Sequence, residues 1–107
     1  MMPFNYHRDA RQEHLSAIRY YVSAIRYYAD QSKNLGEDYA QEVQDTIDKI
    51  CLNPRRYALI GRTVRKCNTD RFQYKIIYTV ETDGILIVAV AHHSRRPGYW
   101  RYRLNTP

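Results

Sequence analysis

The residues best suited to chemistry lie in the last third of the chain. Metal-independent RNA cleavage needs a base for the 2′-hydroxyl, a cation for the phosphorane and an acid for the leaving oxygen. A histidine, either His92 or His93, can act as base or acid. Lys75 or Arg95 can stabilise the phosphate, and Tyr99 can transfer a proton or stack on a base. The alternative is a solvated basic strand edge, which requires no catalysis.

The same region offers further contacts for a nucleic acid. The nucleic-acid-binding candidates are Arg71, His92, Arg96 and Arg101. Adjacent histidines on a strand point to opposite faces and chelate a metal poorly, so no metal site is predicted. The sequence has no phosphate-binding glycine loop, dinucleotide fingerprint or nucleophile elbow, and no cofactor is predicted.

The charge of the chain is concentrated in its second part. Residues 1–61 carry eight Lys/Arg and eight Asp/Glu, whereas residues 62–107 carry nine and three, which accounts for the whole net charge of +6. A one-sided positive field attracts polyanions or an acidic protein. Charge alone leaves both partners open, and it leaves a purely solubilising role open as well.

A predicted β-hairpin positions the candidate residues. Arg71–Glu81 is rich in β-branched and aromatic residues, and Ile85–Ala91 is apolar on both faces, as in a buried strand. Asp83-Gly84 predicts a two-residue type I′ turn. That turn pairs Lys75 with His92, Gln73 with Ser94, Tyr74 with His93, and Phe72 with Arg95. Without a bulge, Lys75 and His92 share one face, while His93 and Arg95 share the other.

Two helices are predicted before the hairpin. The first begins at Asp9, which can cap it, and carries an apolar stripe of Leu15, Ile18, Val22, Ile25 and Ala29 before a stop at Lys33–Gly36. The second runs from Glu37 to Leu52 with Tyr39, Val43, Ile47 and Ile50 on one face, and Asn53-Pro54 ends it. The short link between them predicts an antiparallel helical hairpin.

The first helix contains an internal repeat. SAIRYY occurs at residues 16–21 and again at 23–28, so a tandem heptad covers 16–29. Seven residues turn a helix to within about 20° of two full turns, so both copies face the same way. We interpret the repeat as a local tandem duplication that the helix absorbs; the alternative is a lengthened surface for a partner or a second copy of the chain.

The remaining segments complete an α+β domain over residues 1–107. Residues 3–7 and Thr63–Cys67 predict short strands, and the helical hairpin is expected to pack on one face of a twisted antiparallel sheet. Cys51 and Cys67 lack metal-binding spacing and are predicted to be reduced thiols. With no signal peptide and no long apolar run, the expected location is the cytoplasm.

The order of motifs resembles the RelE/ParE superfamily of type II toxin–antitoxin toxins, also called plasmid stabilisation systems. The matching words are F-x-Y-x-I-x-Y-x-V at Phe72–Val80, V-x-H-x-x-R at Val90–Arg95 and R-x-P-x-Y-W at Arg95–Trp100. In the N-terminal half, L-G-x-x-Y-x-x-E-V at 35–43 and N-P-x-x-Y at 53–57 also match. Two departures are Gln73, where proline is frequent, and the additional heptad.

The resemblance implies a toxin but leaves its target open. RelE-like members cleave mRNA and thereby arrest translation, and the resemblance assigns the catalytic roles of such an endoribonuclease to Lys75, His93, Arg95 and Tyr99. ParE-like members share the fold but inhibit DNA gyrase without catalytic residues. A non-toxic relative that only binds an antitoxin is the third alternative.

The resemblance also implies a partner. Antitoxins of this superfamily wrap the toxin with a helix and an extended segment, and an acidic amphipathic tail would be drawn to the basic second part of the chain. A homodimer through the helices and a toxin–antitoxin hetero-oligomer are both compatible with the sequence.

Overall fold

A computed structural model describes residues 1–27 and 35–105. The elements in chain order are β1 (Phe4–Tyr6), α1 (Arg8–Tyr27), α2 (Leu35–Leu52), β2 (Ala58–Leu59), β3 (Val64–Asn68), β4 (Tyr74–Glu81), β5 (Gly84–His92) and a C-terminal 3₁₀ helix (Arg101–Asn105). The five strands form one sheet in the order β1-β5-β4-β3-β2. The α+β class is confirmed, but the sheet is mixed and not purely antiparallel, because β1 runs parallel to β5.

Helix α1 begins one residue earlier than predicted, at Arg8. The residue that caps it is His7, whose Nδ1 accepts the N–H of Asp9 at 3.1 Å, so Asp9 belongs to the first turn. The buried face of α1 also differs from the predicted stripe. Ala10 and Ala17 are buried, whereas Val22 is 48% exposed.

The boundary between α1 and α2 differs from the one predicted from the sequence. Gly36 was expected to stop the first helix, but it lies in the first turn of α2. A Cβ at Gly36 would lie 2.7 Å from Cγ2 of Val22, so the glycine allows α2 to approach α1 closely. Residues 28–34, which contain Lys33, Asn34 and the link of the predicted helical hairpin, lie outside the described residues, as do Tyr28 and Ala29 of the repeat.

Helix α2 matches its predicted face. The side chains of Tyr39, Val43, Ile47 and Ile50 are at most 1% exposed, and the helix ends at Leu52 before Asn53-Pro54. These four residues pack with buried residues of α1 and of the sheet in one core cluster. We call the helix-facing side of the sheet the inner face and the other side the outer face.

The turn between β4 and β5 is not the predicted type I′ turn. Glu81 pairs with Gly84, so the turn residues are Thr82 and Asp83. Within the described residues only Gly84 and Gly98 have a positive φ, which excludes the positive φ that a type I′ turn requires at Asp83. A Cβ at Gly84 would lie 2.7 Å from the carbonyl oxygen of Pro3, so this glycine admits the incoming strand β1.

A smaller cluster covers the outer face. It consists of Val64, Ile77, Val88, Ala89, Ala91 and Trp100. Trp100 lies in the segment that follows β5, so this segment covers part of the outer face where no helix packs. In the described part of the chain, neither helix has the length and apolar character needed to cross a membrane.

One histidine is part of the inner core. The ring of His14 stacks on Tyr6 with centroids 5.9 Å apart and lies 5.6 Å from the ring of Tyr39. Burial lowers the pKa of His14. Among the described residues, its Nδ1 and the hydroxyl of Tyr39 are buried without a hydrogen-bond partner, which favours the uncharged ring.

Candidate functional site

A β-bulge determines which residues share a face at the end of the hairpin far from its turn. Tyr78 pairs with Ile87, but Ile77 pairs with Ala89, so Val88 has no partner on β4. Both Val88 and Ala89 belong to the outer cluster, so the alternation of faces restarts at this point. The turn at Thr82-Asp83 shifts the predicted pairing by two positions and the bulge shifts it back by one, so every residue of β5 after the bulge has a different partner from the predicted one and faces the opposite side relative to β4.

The predicted pairing of Lys75 with His92 is wrong for this reason. Lys75 lies opposite Ala91, and His92 lies opposite Tyr74. Ala91 belongs to the outer cluster, whereas the ring of Tyr74 packs against the inner core. Lys75 and His92 consequently lie on opposite faces of the sheet, so they cannot act on one phosphate group.

On the inner side, His92 lines a groove between α1 and the hairpin. The groove has a volume of about 410 Å³, and α1 contributes Ser16, Ala17 and Tyr20 to it. The ring of His92 meets Tyr74 edge-on with centroids 5.1 Å apart. Its Nδ1 accepts the backbone N–H of Ser94 at 3.0 Å, which leaves Nε2 as the ring nitrogen that carries hydrogen in this arrangement.

The groove is closed on one side by the carboxylate of Glu13. Glu13 accepts hydrogen bonds from the N–H of Val90 at 3.2 Å, from the hydroxyl of Tyr99, and from Arg103 at 2.7 and 3.2 Å. A guanidinium nitrogen of Arg95 lies 3.8 Å from the same group. One carboxylate on α1 thus holds the edge of β5 and three side chains of the C-terminal segment.

Arg103 is the most deeply buried partner of Glu13, with 5% of its side chain exposed. It also donates to the carbonyl of Val88 at 3.0 Å and to the hydroxyl of Tyr102, which donates to Asp9 at 2.6 Å. Burial alone would lower the pKa of Arg103, but the hydrogen bonds to Glu13 and Tyr102 outweigh it and raise the pKa above its ordinary value. Arg103 is therefore a permanent cation inside the fold.

Tyr99 is held in its neutral form. Burial raises its pKa above the ordinary value, and the hydrogen bond to Glu13 adds to that effect. The guanidinium of Arg95 lies 3.9 Å from the centre of the Tyr99 ring, within cation–π distance. The hydroxyl of Tyr99 donates to the carboxylate of Glu13 in its own chain.

On the outer side the cations are arranged differently. Lys66 pairs with Ile77, which belongs to the outer cluster, so Lys66 and Lys75 project from the same face. His93 follows β5; its N–H donates to the carbonyl of Gln73 at 2.8 Å, and its Nε2 lies 3.1 Å from the carbonyl oxygen of Tyr74. The outer face is the open, positively charged side of this region.

Arg71 lies apart from the other candidates. Its guanidinium is 3.2 Å from the carboxylate of Asp38, and its charge lies 5.2 Å from the ring centre of Phe72. Its backbone N–H donates to Glu42 of α2 at 2.9 Å. Arg71 therefore fastens the chain before β4 to the second helix, away from the groove.

The eight candidate residues thus divide into separate groups. Arg95 and Tyr99 are together on Glu13, and Arg95 shares the inner groove with His92. Lys75 is on the outer face, His93 follows β5 at the backbone of Gln73, and Arg71 is against α2. Arg96 and Arg101 are exposed, and Arg101 lies 5.2 Å from the ring centre of Trp100. The catalytic roles and the nucleic-acid contacts stay predictions, because geometry alone tests neither.

Two important residues, Glu13 and Arg103, were not among the candidates. Glu13 lies three residues after buried Ala10 and four before buried Ala17, where helical spacing favours an apolar side chain. A single carboxylate at such a position is the signal that sequence reasoning can use. Arg103 offers no comparable signal, since it lies in a polar C-terminal stretch.

Comparison with known proteins gives one family. The model of the family described as the ParE toxin of the type II toxin–antitoxin system, parDE, matches residues 6–97 of the chain. A comparison with curated proteins gives no match. In the described ranges, 1–27 and 35–105, no three His, Cys, Asp or Glu side chains form a group that could hold a metal ion.

Proposed function

The chain belongs to the family of ParE toxins of type II toxin–antitoxin systems, and we propose that it inhibits DNA gyrase by binding and does not cleave RNA. The RelE-like and ParE-like branches of the superfamily share the fold, so the arrangement of side chains is the relevant evidence. The observation that carries the proposal is the engagement of Arg95 and Tyr99 by Glu13.

Metal-independent cleavage needs its cation, acid and base around one phosphate. Arg95 and Tyr99 are both directed to Glu13, whereas Lys75 is on the outer face. Freeing Tyr99 would leave the buried Glu13–Arg103 pair with one donor fewer, which opposes such a change. This division supports action through a binding surface, with the Glu13 network as its rigid support.

The family implies an antitoxin partner. Six of the nine cations in residues 62–107 have no carboxylate within 4 Å among the described residues, namely Arg62, Arg65, Lys66, Lys75, Arg96 and Arg101. We propose that an acidic amphipathic tail of the antitoxin is drawn to this side in the cytoplasm. Gyrase as the specific target is part of this proposal, and so is the oligomeric state, a homodimer or a toxin–antitoxin hetero-oligomer.

The direct test is a supercoiling assay with purified gyrase, relaxed plasmid and the purified chain. We expect supercoiling to stop, while relaxation by a type I topoisomerase in the same buffer continues. A labelled RNA incubated with the same preparation in chelator should stay intact. Cleaved RNA together with unaffected gyrase would refute the proposal in favour of the endoribonuclease.

Two substitutions make the test specific. Because the resemblance assigns His93 and Arg95 to cleavage and the proposed binding mode does not use them, His93→Ala and Arg95→Ala should each keep the inhibition shown by the parent chain. Any RNA cleavage that disappears with His93→Ala would show that a real nuclease site exists. Induced expression gives the same distinction in cells. Translation arrest would indicate the endoribonuclease, whereas filamentation would indicate gyrase inhibition.

A further inference from the structure

We propose that Lys66 and Lys75 form an outer basic strip that binds the sugar–phosphate backbone of duplex DNA. The inference goes beyond gyrase inhibition, and its test contains no gyrase, so the two can fail separately. It depends on three observations: the positions of the two lysines, the charges around them, and the burial or contacts of the aromatic rings near them.

The two lysines are neighbours on adjacent strands. Lys66 of β3 lies opposite Ile77 of β4, and Lys75 is two residues before Ile77 on the same face. Diagonal neighbours of this kind have Cβ atoms roughly 7–8 Å apart. Both side chains are half-buried, so their stems lie along the sheet and their ammonium groups are held near it.

In the described part of the chain, no acidic residue compensates the strip. Residues 62–107 contain three acids, and Asp70 lies 3.7 Å from Lys49 of α2. Glu81 and Asp83 are at the turn, the opposite end of the hairpin from Lys75. Among the described residues neither lysine of the strip has a carboxylate within 4 Å, so the charge is available to a polyanion.

Two exposed arginines lie in the segment that covers this face. Trp100 packs in the outer cluster with Ala91, and Ala91 is the residue opposite Lys75. Arg96 and Arg101 belong to the same segment and are exposed. They can extend the phosphate contacts beyond the two lysines.

The outer face favours duplex DNA over a single strand. Single-stranded nucleic acids are held by bases stacked on exposed aromatic rings. Trp100 is only 3% exposed, and Arg95 lies over the ring of Tyr99. Tyr102 is 52% exposed, but it is directed to α1, where its hydroxyl donates to Asp9. Cations without a stacking platform contact the backbone and position a duplex without reading its bases.

The experiment measures binding of the full chain to a short fluorescent DNA duplex at several salt concentrations. Each phosphate contact contributes about 0.9 to the slope of log K against log salt for B-DNA. The K66A/K75A double variant should therefore bind more weakly, with a slope smaller by about 1.8. K66R/K75R should retain the slope of the parent chain, because it keeps both charges.

Lys49→Ala is the matched control, since it removes one lysine that lies on α2 and already has a carboxylate partner. We expect it to leave the slope unchanged. The proposal is overturned if K66A/K75A keeps the parent slope, if Lys49→Ala lowers it equally, or if single-stranded RNA of the same length binds more tightly than the duplex.

Discussion

The two sides of the sheet at the far end of the hairpin use positive charge in opposite ways. On the inner side and around the edge of β5, Arg95 and Arg103 converge on one mostly buried carboxylate, Glu13. On the outer side, Lys66 and Lys75 share a surface with no carboxylate within 4 Å among the described residues. The same basic segment thus supplies a structural network and an unneutralised surface.

The difference shows why net charge is a poor guide to a binding site. Arg71, Arg95 and Arg103 have carboxylate partners within the chain. Asp38 offsets the charge of Arg71, and Glu13 offsets one of the two charges of Arg95 and Arg103, so one net positive charge remains there; beyond a Debye length salt screens it. The unpaired lysines add two further charges to the field that a partner would meet. Substitutions in the Glu13 network should therefore change mainly stability, whereas substitutions of Lys66 and Lys75 should change mainly binding.

Glu13→Gln should have the largest effect on stability. It leaves the guanidinium of Arg103, 5% exposed, without its carboxylate, and removing one partner of a buried pair costs about 3–5 kcal/mol. The free energy of unfolding in urea measures this loss. Asp45→Asn, which neutralises an exposed carboxylate on α2, is the control and should change it by less than about 0.5 kcal/mol. Equal effects would show that the Glu13 network is not structural.

Tyr99→Phe should have a smaller effect of the same kind. It removes one hydrogen bond to the carboxylate of Glu13 and leaves the ring in place. Hydrogen bonds to charged groups contribute about 1.5–3 kcal/mol. Tyr20→Phe is the matched control, because Tyr20 is 67% exposed. A Tyr99→Phe protein as stable as Tyr20→Phe would contradict the arrangement described here.

Alkaline pH should destabilise the fold through its buried tyrosines. Burial raises the pKa of Tyr21 and of Tyr78 to about 12, and burial with the Glu13 hydrogen bond raises that of Tyr99. Since the folded pKa lies above the unfolded value near 10, this stability is complete below pH 10 and is lost as pH rises further. Unfolding in denaturant between pH 8 and 11 measures the loss, and Tyr99→Phe should reduce it. Stability that rises above pH 10 would refute the assignment.

The K66A/K75A variant should show the smallest effect on stability, with the opposite sign. Two like charges roughly 7–8 Å apart repel by about 0.5 kcal/mol in water. Removing them should leave the free energy of unfolding unchanged or slightly higher, and the gain should vanish in high salt. Lys49→Ala loses an exposed ion pair instead and should be neutral or slightly destabilising. A marked loss of stability in K66A/K75A would make the outer strip structural.

Much of the fold could be predicted from the sequence, because buried side chains recur with the period of the helix or strand that carries them. The face of α2 with Tyr39, Val43 and Ile47 and the apolar strand after Gly84 were predicted correctly. The parallel strand β1 was predicted as a strand, but its partner was not. Three residues carry no signal for the strand that they will join, more than 70 positions away.

The candidate site was predicted less well, for two physical reasons. A bulge at Val88 adds one residue to a strand without changing its apolar character, so no pattern marks it. Glycine at position 84 suggested a turn, whereas it accommodates the carbonyl of Pro3. The bond from Tyr99 to Glu13 spans 86 positions, so it depends on the tertiary fold. Local patterns predicted the candidate residues, but they predicted wrongly which face of the sheet some of these side chains occupy.

Val88 has a consequence for how this protein can diverge. In a regular strand, deleting one residue reverses the side of every residue that follows it. Val88 is the additional residue of the bulge, so its deletion would make the pairing of β4 and β5 regular and keep Ala89 opposite Ile77. His92 and His93 would therefore keep their surfaces, and the bulge is a position where related chains can lose one codon of β5 without changing the surface that carries each functional residue.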